Sequence, residues 1–188
     1  MRRFILTGTP GAGKTAILRQ LEWDGFSVVE EAATDVIALR QACGVAEPWT
    51  QPSFIGAIAD LQKLRVIRAE HQPGHVQFHD RSAVCTAALA TFLGFLVPSA
   101  LALELERLRT ERIFQREVFL IRNLGFIAPT DARRISFEEA LRFEQIHEQT
   151  YREMDFEIVS IEPGTVADRV AAIRRLAEGA EPASPLVH

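Results

Sequence analysis

The chain predicts an α/β fold, a three-layer sandwich in which a five-stranded, mostly parallel sheet lies between helices. Two features of its 188 residues predict it. Short apolar runs recur along the chain, and stretches with apolar residues at helical spacing separate them; this alternation builds a parallel sheet covered on both faces. The first run also ends in a glycine-rich turn, from Gly8 to Gly13, that opens into a helix. No internal repeat or linker divides the sequence, so one domain is expected over residues 1–178, with a frayed Pro/Ala-rich tail over 179–188.

Arg3–Thr7 (RFILT) reads as a buried strand and Lys14–Trp23 as a helix with Ile17, Leu18 and Leu21 on one side, stopped near Gly25. Phe26–Glu30 is a second strand and Ala32–Cys43 a helix ended by Gly44. A proline-flanked loop around Trp49 leads to a long helix, Ser53–His71, closed by Pro73-Gly74. His75–His79 is a third strand running into Asp80. The uncharged stretch Ser82–Leu103 reads as a buried helix, a Gly94/Pro98 turn and a second helix, because Pro98 breaks a continuous span. Glu104–Arg116 is expected to be a charged helix and Glu117–Ile121 a fourth strand. Ser136 and Glu139 form a capping box at the start of a helix running to Met154. Glu157–Ile161 is a fifth strand, and Thr165 caps a last helix reaching Ala177.

Composition narrows the function. With 21 basic and 25 acidic residues the net charge is −4, which gives no global attraction to nucleic acid or anionic membrane. No membrane span is expected. Cys43 and Cys85 are too few and too isolated for a zinc site. They read as buried thiols in a reducing compartment, and with no secretory signal at MRRFILTGTPG the expected location is cytoplasmic. His75 and His79 would stand ~13 Å apart on one strand face, too far to share a metal. The lone Tyr151 reads as core. The oligomeric state is not legible.

The chemistry begins at Gly8-Thr9-Pro10-Gly11-Ala12-Gly13-Lys14-Thr15, which matches the phosphate-binding pattern G-x-x-x-x-G-K-[ST]. Glycines let successive backbone N–H groups turn inward on a phosphate, and the following helix adds its positive N-terminal end. Lys14 would reach the β- and γ-phosphates, the Thr15 hydroxyl would bind Mg²⁺, and residues through Ala16 would contact the nucleotide. Asp80, at the end of the third strand, stands where a second Mg²⁺-binding carboxylate belongs; it could instead cap the helix that follows. Guanine recognition through an Asn/Thr-Lys-x-Asp motif is excluded, since the only lysines are Lys14 and Lys63. ATP with Mg²⁺ is therefore the expected cofactor.

Asp80-Arg81-Ser82 resembles the P-loop kinase branch that includes nucleoside and nucleotide kinases. More narrowly GTPGAGKT, VVEEAA, DRS and RIFQREVFLI, in this order, resemble the AAA-type ATPase/kinase domain of the bacterial NAD-biosynthesis regulator, a ribosylnicotinamide kinase, and of stand-alone predicted ATPases. The resemblance runs from about Arg3 to Leu176. It implies that Arg81 gathers phosphate charge, and that an acidic residue ending the second strand, Glu30 or Glu31, takes a proton from the acceptor hydroxyl. The alternative for that pair is an exposed helix start.

Lid arginines are expected among Arg112 and Arg116, read as one helical turn apart, and Arg133 and Arg134, in the basic stretch after the fourth strand. Pairing with neighbouring glutamates is the competing role for the helical arginines. Trp49 is placed either in packing or against an acceptor base. The expected activity is transfer of the γ-phosphate of ATP·Mg²⁺ to a small-molecule acceptor, nucleoside-like or ribosylnicotinamide-like. The alternative is an ATPase or nucleotide-dependent switch without such an acceptor.

Overall fold

The computed structural model describes residues 1–123 and 136–179. Five strands, β1 (Arg2–Thr7), β2 (Ser27–Val29), β3 (Val76–Asp80), β4 (Glu117–Ile121) and β5 (Glu157–Ile161), form one sheet in the order β2-β3-β1-β4-β5. Every pairing is parallel, with Leu6 opposite Asp80, Ile5 opposite Val118 and Val29 opposite His79. After β1 the chain crosses to the β2 edge, and after β3 it crosses to the far side of β1. The carboxyl ends of β1 and β3 therefore flank the point where the winding reverses, the crevice in which open α/β sheets bind ligands.

Alternation along β1 sends its side chains to both faces. Phe4 and Leu6 join Phe78, Phe119 and Ile121 under helices α1 (Lys14–Trp23) and α7 (Val166–Glu178), with the Phe4 and Phe119 rings stacked at 5.4 Å. Ile5 and Val118 face the opposite layer. That layer holds α3 (Ser53–Ala69), α4 (Ala83–Leu93), α5 (Ser99–Thr110) and α6 (Phe137–Glu153). Helix α2 (Ala33–Ala42) lies against α3, with Val36, Phe54 and Ile58 buried between them beside Trp49. The three-layer sandwich is as expected, and the sheet is wholly parallel.

The uncharged stretch from Ser82 is explained by α4. Seven of its residues, from Ala83 to Ala90, are buried between the sheet and neighbouring helices. Eleven residues reach only ~16 Å, and among the described residues no helix is long and apolar enough to cross a membrane. Small side chains there serve close helix contact.

One expected element is corrected. The second helix after Pro98 and the charged helix at Glu104–Arg116 are a single helix, α5, which stops at Thr110. Glu111 closes it, Arg112 turns into the left-handed region with φ 49°, and the Gln115 N–H donates to the Arg3 carbonyl at 2.8 Å as the chain enters β4. The helix begins earlier than its charge pattern suggests because Pro98, fixed in extended geometry, ends the turn and frees Ser99 to start it. Both expected caps form: Ser136 and Glu139 exchange hydrogen bonds reciprocally, and the Thr165 hydroxyl accepts from the Asp168 N–H.

Candidate functional site

The loop from Gly8 to Gly13 leaves the centre of the sheet, and two of its glycines are obligatory. At Gly8, φ is 132° and a Cβ would lie 2.5 Å from the Ile121 carbonyl oxygen. Gly13, at φ 89°, is the N-cap of α1, and a Cβ there would lie 3.2 Å from the Arg169 guanidinium. At these two positions the loop fits against β4 and α7 only without a side chain. Lys14 folds back over it, and its Nζ donates to the carbonyls of Gly8 and Thr9, each at 2.9 Å. Burial, assisted by the positive charge of Arg81, lowers the Lys14 pKa to about 8, against the pull of Asp80 and Glu31.

Asp80 ends β3 beside Lys14 and is buried. Burial raises its pKa above the usual carboxylate value although Lys14 pulls it down. Its Oδ1 is buried and has no hydrogen-bond partner among the described residues. The cap reading fails, because the N-cap of α4 is Ser82, whose hydroxyl accepts from the Val84 N–H at 3.2 Å. An orphaned carboxylate oxygen beside Lys14, at the strand end that faces the glycine loop, fits a cation site. Among the described residues no cluster of three or more His, Cys, Asp or Glu can hold a metal. A Mg²⁺ here would therefore be shared with a nucleotide, as this ion prefers.

Arg81 adopts φ 71°, uncommon for a side-chain-bearing residue, and its N–H donates to the Leu6 carbonyl at 2.9 Å. Its Nε donates to Glu31 Oε2 at 3.3 Å. Burial works against both charges, yet their pairing prevails: the Arg81 pKa stands above its ordinary value, and Glu31, with Lys14 also near, lies below the usual glutamate value. Glu31 is therefore ionised at neutral pH. Its backbone carbonyl, with that of Glu30, accepts from Arg65 on α3, which also pairs with Asp35.

From these charges a cavity of about 800 Å³ extends beneath α2 and α3. The glycine loop, Lys14, Thr15, Glu31 and Arg81 form its charged end, and Trp49, Phe54, Phe92 and Phe143 contribute aromatic walls. Gln62 lies on its lining, its Oε1 accepting from the Thr86 hydroxyl at 3.1 Å.

Residues 3–169 match the family model described as AAA domain. The chain belongs to that family. No curated protein matches the sequence. Among solved structures, NadR protein in complex with NAD and AMP-PNP is similar at 16% identity and a TM-score of 0.67, covering 100% of this chain and 52% of that one. NadR protein in complex with NR gives 15%, 0.62, 100% and 54%. Deoxyadenosine kinase from M. mycoides with bound dATP gives 11%, 0.50, 94% and 100%. These likenesses show a P-loop kinase-like fold. The chain spans about half the length of the NadR chains.

This AAA domain brings together Lys14, Thr15, Glu31, Asp80 and Arg81 but separates other residues expected near them. Glu30 is exposed and pairs with Arg19, outside the cavity lining. Arg112 and Arg116 are corrected: they lie beyond α5, and Arg116 pairs with Glu157 at 3.3 Å, both flanking or beginning strands at their amino ends. The glycine loop leaves the opposite, carboxyl edge of the sheet. Arg133 and Arg134 lie outside the described residues, as does the tail from 180. Cys43 is exposed, not buried, whereas Cys85 and Tyr151 are core.

Three arginine or histidine roles escape sequence reading. Arg169 on α7 donates to the carbonyls of Ala12 at 2.8 Å and Arg122 at 2.9 Å, bracing the glycine loop from behind. Arg65 anchors the end of β2, and His147 on α6 contacts Arg81. Each partner is 30 or more positions away, and no local pattern announces such contacts.

Proposed function

We propose that the chain transfers the γ-phosphate of ATP·Mg²⁺ to a hydroxyl of a nucleoside-like acceptor, ribosylnicotinamide-like molecules included. The observation that carries this reading is the position of Glu31 and Arg81, between the phosphate loop and an aromatic-walled cavity. A hydroxyl carried by a molecule in that cavity would meet the terminal phosphate beside an ionised carboxylate. The AMP-PNP, NAD, NR and dATP of the similar structures belong to the same chemical class and support it.

In this mechanism the backbone N–H groups of Gly11 to Thr15 and the Lys14 ammonium hold the β- and γ-phosphates. Thr15 and Asp80 would hold Mg²⁺, which when bound neutralises phosphate charge. Glu31 accepts the acceptor's hydroxyl proton as its oxygen attacks the γ-phosphorus, and the bond from that phosphorus to the bridging oxygen breaks, releasing ADP. Arg81 balances the charge spread over the transferring phosphoryl oxygens. Trp49 and the phenylalanines offer flat faces to a ring. The Gln62 Nε2, without a partner among the described residues, offers a donor to a heteroatom on its edge.

The test is a labelled γ-phosphate screen across ribosylnicotinamide, nucleosides, nucleotides and sugars. Label on a ring-bearing ribosyl acceptor is the expected result. Label released only to water, whatever acceptor is offered, refutes transfer and leaves the ATPase reading.

A further inference from the structure

His147 and Tyr151 stand one turn apart on the same face of α6, as i and i+4 residues do. They meet Arg81 and Ser82, which follow β3, and Cys85 in the first turn of α4. The Tyr151 hydroxyl lies 2.9 Å from Ser82 Oγ and 3.0 Å from Cys85 Sγ. His147 Nε2 lies 3.3 Å from an Arg81 terminal nitrogen. The imidazole is fully buried and its Nδ1 lies 2.9 Å from the Phe143 carbonyl oxygen. A carbonyl only accepts, so Nδ1 carries the proton and Nε2 presents a lone pair to Arg81. The ring packs on Phe143 at 4.2 Å, and Phe143 on Phe92 of α4 at 4.6 Å, which leaves it little freedom to turn.

We propose that His147 is the positioning residue of Arg81, a buried neutral acceptor that aims the guanidinium at the transferring phosphoryl group without cancelling its charge. This rests on the reading of Arg81 given above. The physical need is specific. Arg81 already faces Glu31 and adjoins Asp80, so a third carboxylate would place more negative charge where phosphates must enter. Burial, together with the charge of Arg81, holds the His147 pKa down at about 3, so the ring stays an acceptor at every physiological pH.

The test compares Mg²⁺-dependent binding of ADP alone with ADP plus aluminium fluoride, a mimic of the transferring phosphoryl group, in the full-length wild type, His147→Leu, His147→Met and His147→Gln. Wild type should bind the fluoride complex more tightly than ADP. The two apolar variants should lose about tenfold of that enhancement, the worth of a hydrogen bond to a charged group, with ADP affinity unchanged. His147→Gln, which supplies an acceptor oxygen, should recover most of it. An enhancement retained in His147→Leu or His147→Met overturns the proposal, and so does an equal loss in all three variants. If wild type shows no enhancement, the reading of Arg81 fails with it, and the two failures are thereby distinguished.

Discussion

Removing the Lys14 charge is expected to abolish nucleotide turnover and to change how the stability of the nucleotide-free protein depends on pH. Burial moves the Lys14 pKa from an ordinary 10.5 to about 8, a displacement that corresponds to ~3 kcal/mol against the charged form. The folded state holds fewer protons than the unfolded chain between those two values. The cost is therefore fully present below pH 8 and fades as pH rises toward 10.5. Lys14→Met deletes it but also deletes two hydrogen bonds from the ammonium, to the Gly8 and Thr9 carbonyls, each worth about 1.5–3 kcal/mol as a bond from a charged group. At pH 7 these bonds match or outweigh the cost; as the cost fades by about 2 kcal/mol between pH 7 and pH 9.5, the variant should lose roughly 4–8 °C of melting temperature relative to wild type. Calorimetry of both proteins without nucleotide, at pH 7 and pH 9.5, measures it: wild type should gain on the variant as pH rises. Added ATP·Mg²⁺ should raise the melting temperature of wild type only. A difference between the two proteins that is the same at pH 7 and pH 9.5 would show that Lys14 is not held at a cost, and the pKa reasoning would fall.

Glu31→Gln should lower turnover by about 10²–10⁴-fold with ATP binding intact, whereas Glu30→Gln should stay near wild type; steady-state kinetics with parallel binding measurements separate them. Asp80→Asn should cost about a hundredfold or more in Mg²⁺-dependent turnover, and a magnesium titration at fixed ATP would reveal an unaffected variant if Asp80 plays no part. Gly8→Ala combines a contact at 2.5 Å with a φ of 132°. It should destabilise by about 2–4 kcal/mol, seen as a lowered melting temperature. Arg116→Ala loses only an exposed pair with Glu157 and should leave turnover unchanged.

What could be read in advance followed the range of the interactions. The boundaries of α1 and β5 match those expected, because each is marked by its own apolar spacing and a nearby stop. Helix α5 was misplaced by several residues because charge spacing along Glu104–Arg116 imitates a helical face even where the chain has left the helix. With it went the pairing of Arg112 and Arg116.

The phosphate loop, the α/β alternation and the kinase-like family resemblance are legible along the chain, because each is written in contiguous residues whose backbone chemistry acts locally. The different settings of Glu31 and Glu30 were not legible, since only the fold puts Glu31 against Arg81 on the cavity lining and Glu30 against Arg19 outside it. Strand order, the cavity under α2 and α3, the Arg169 brace and the His147 contact were decided by tertiary structure alone. A buried charge takes its character from the partners and solvent exclusion around it, and those arise only when distant segments fold onto one sheet edge.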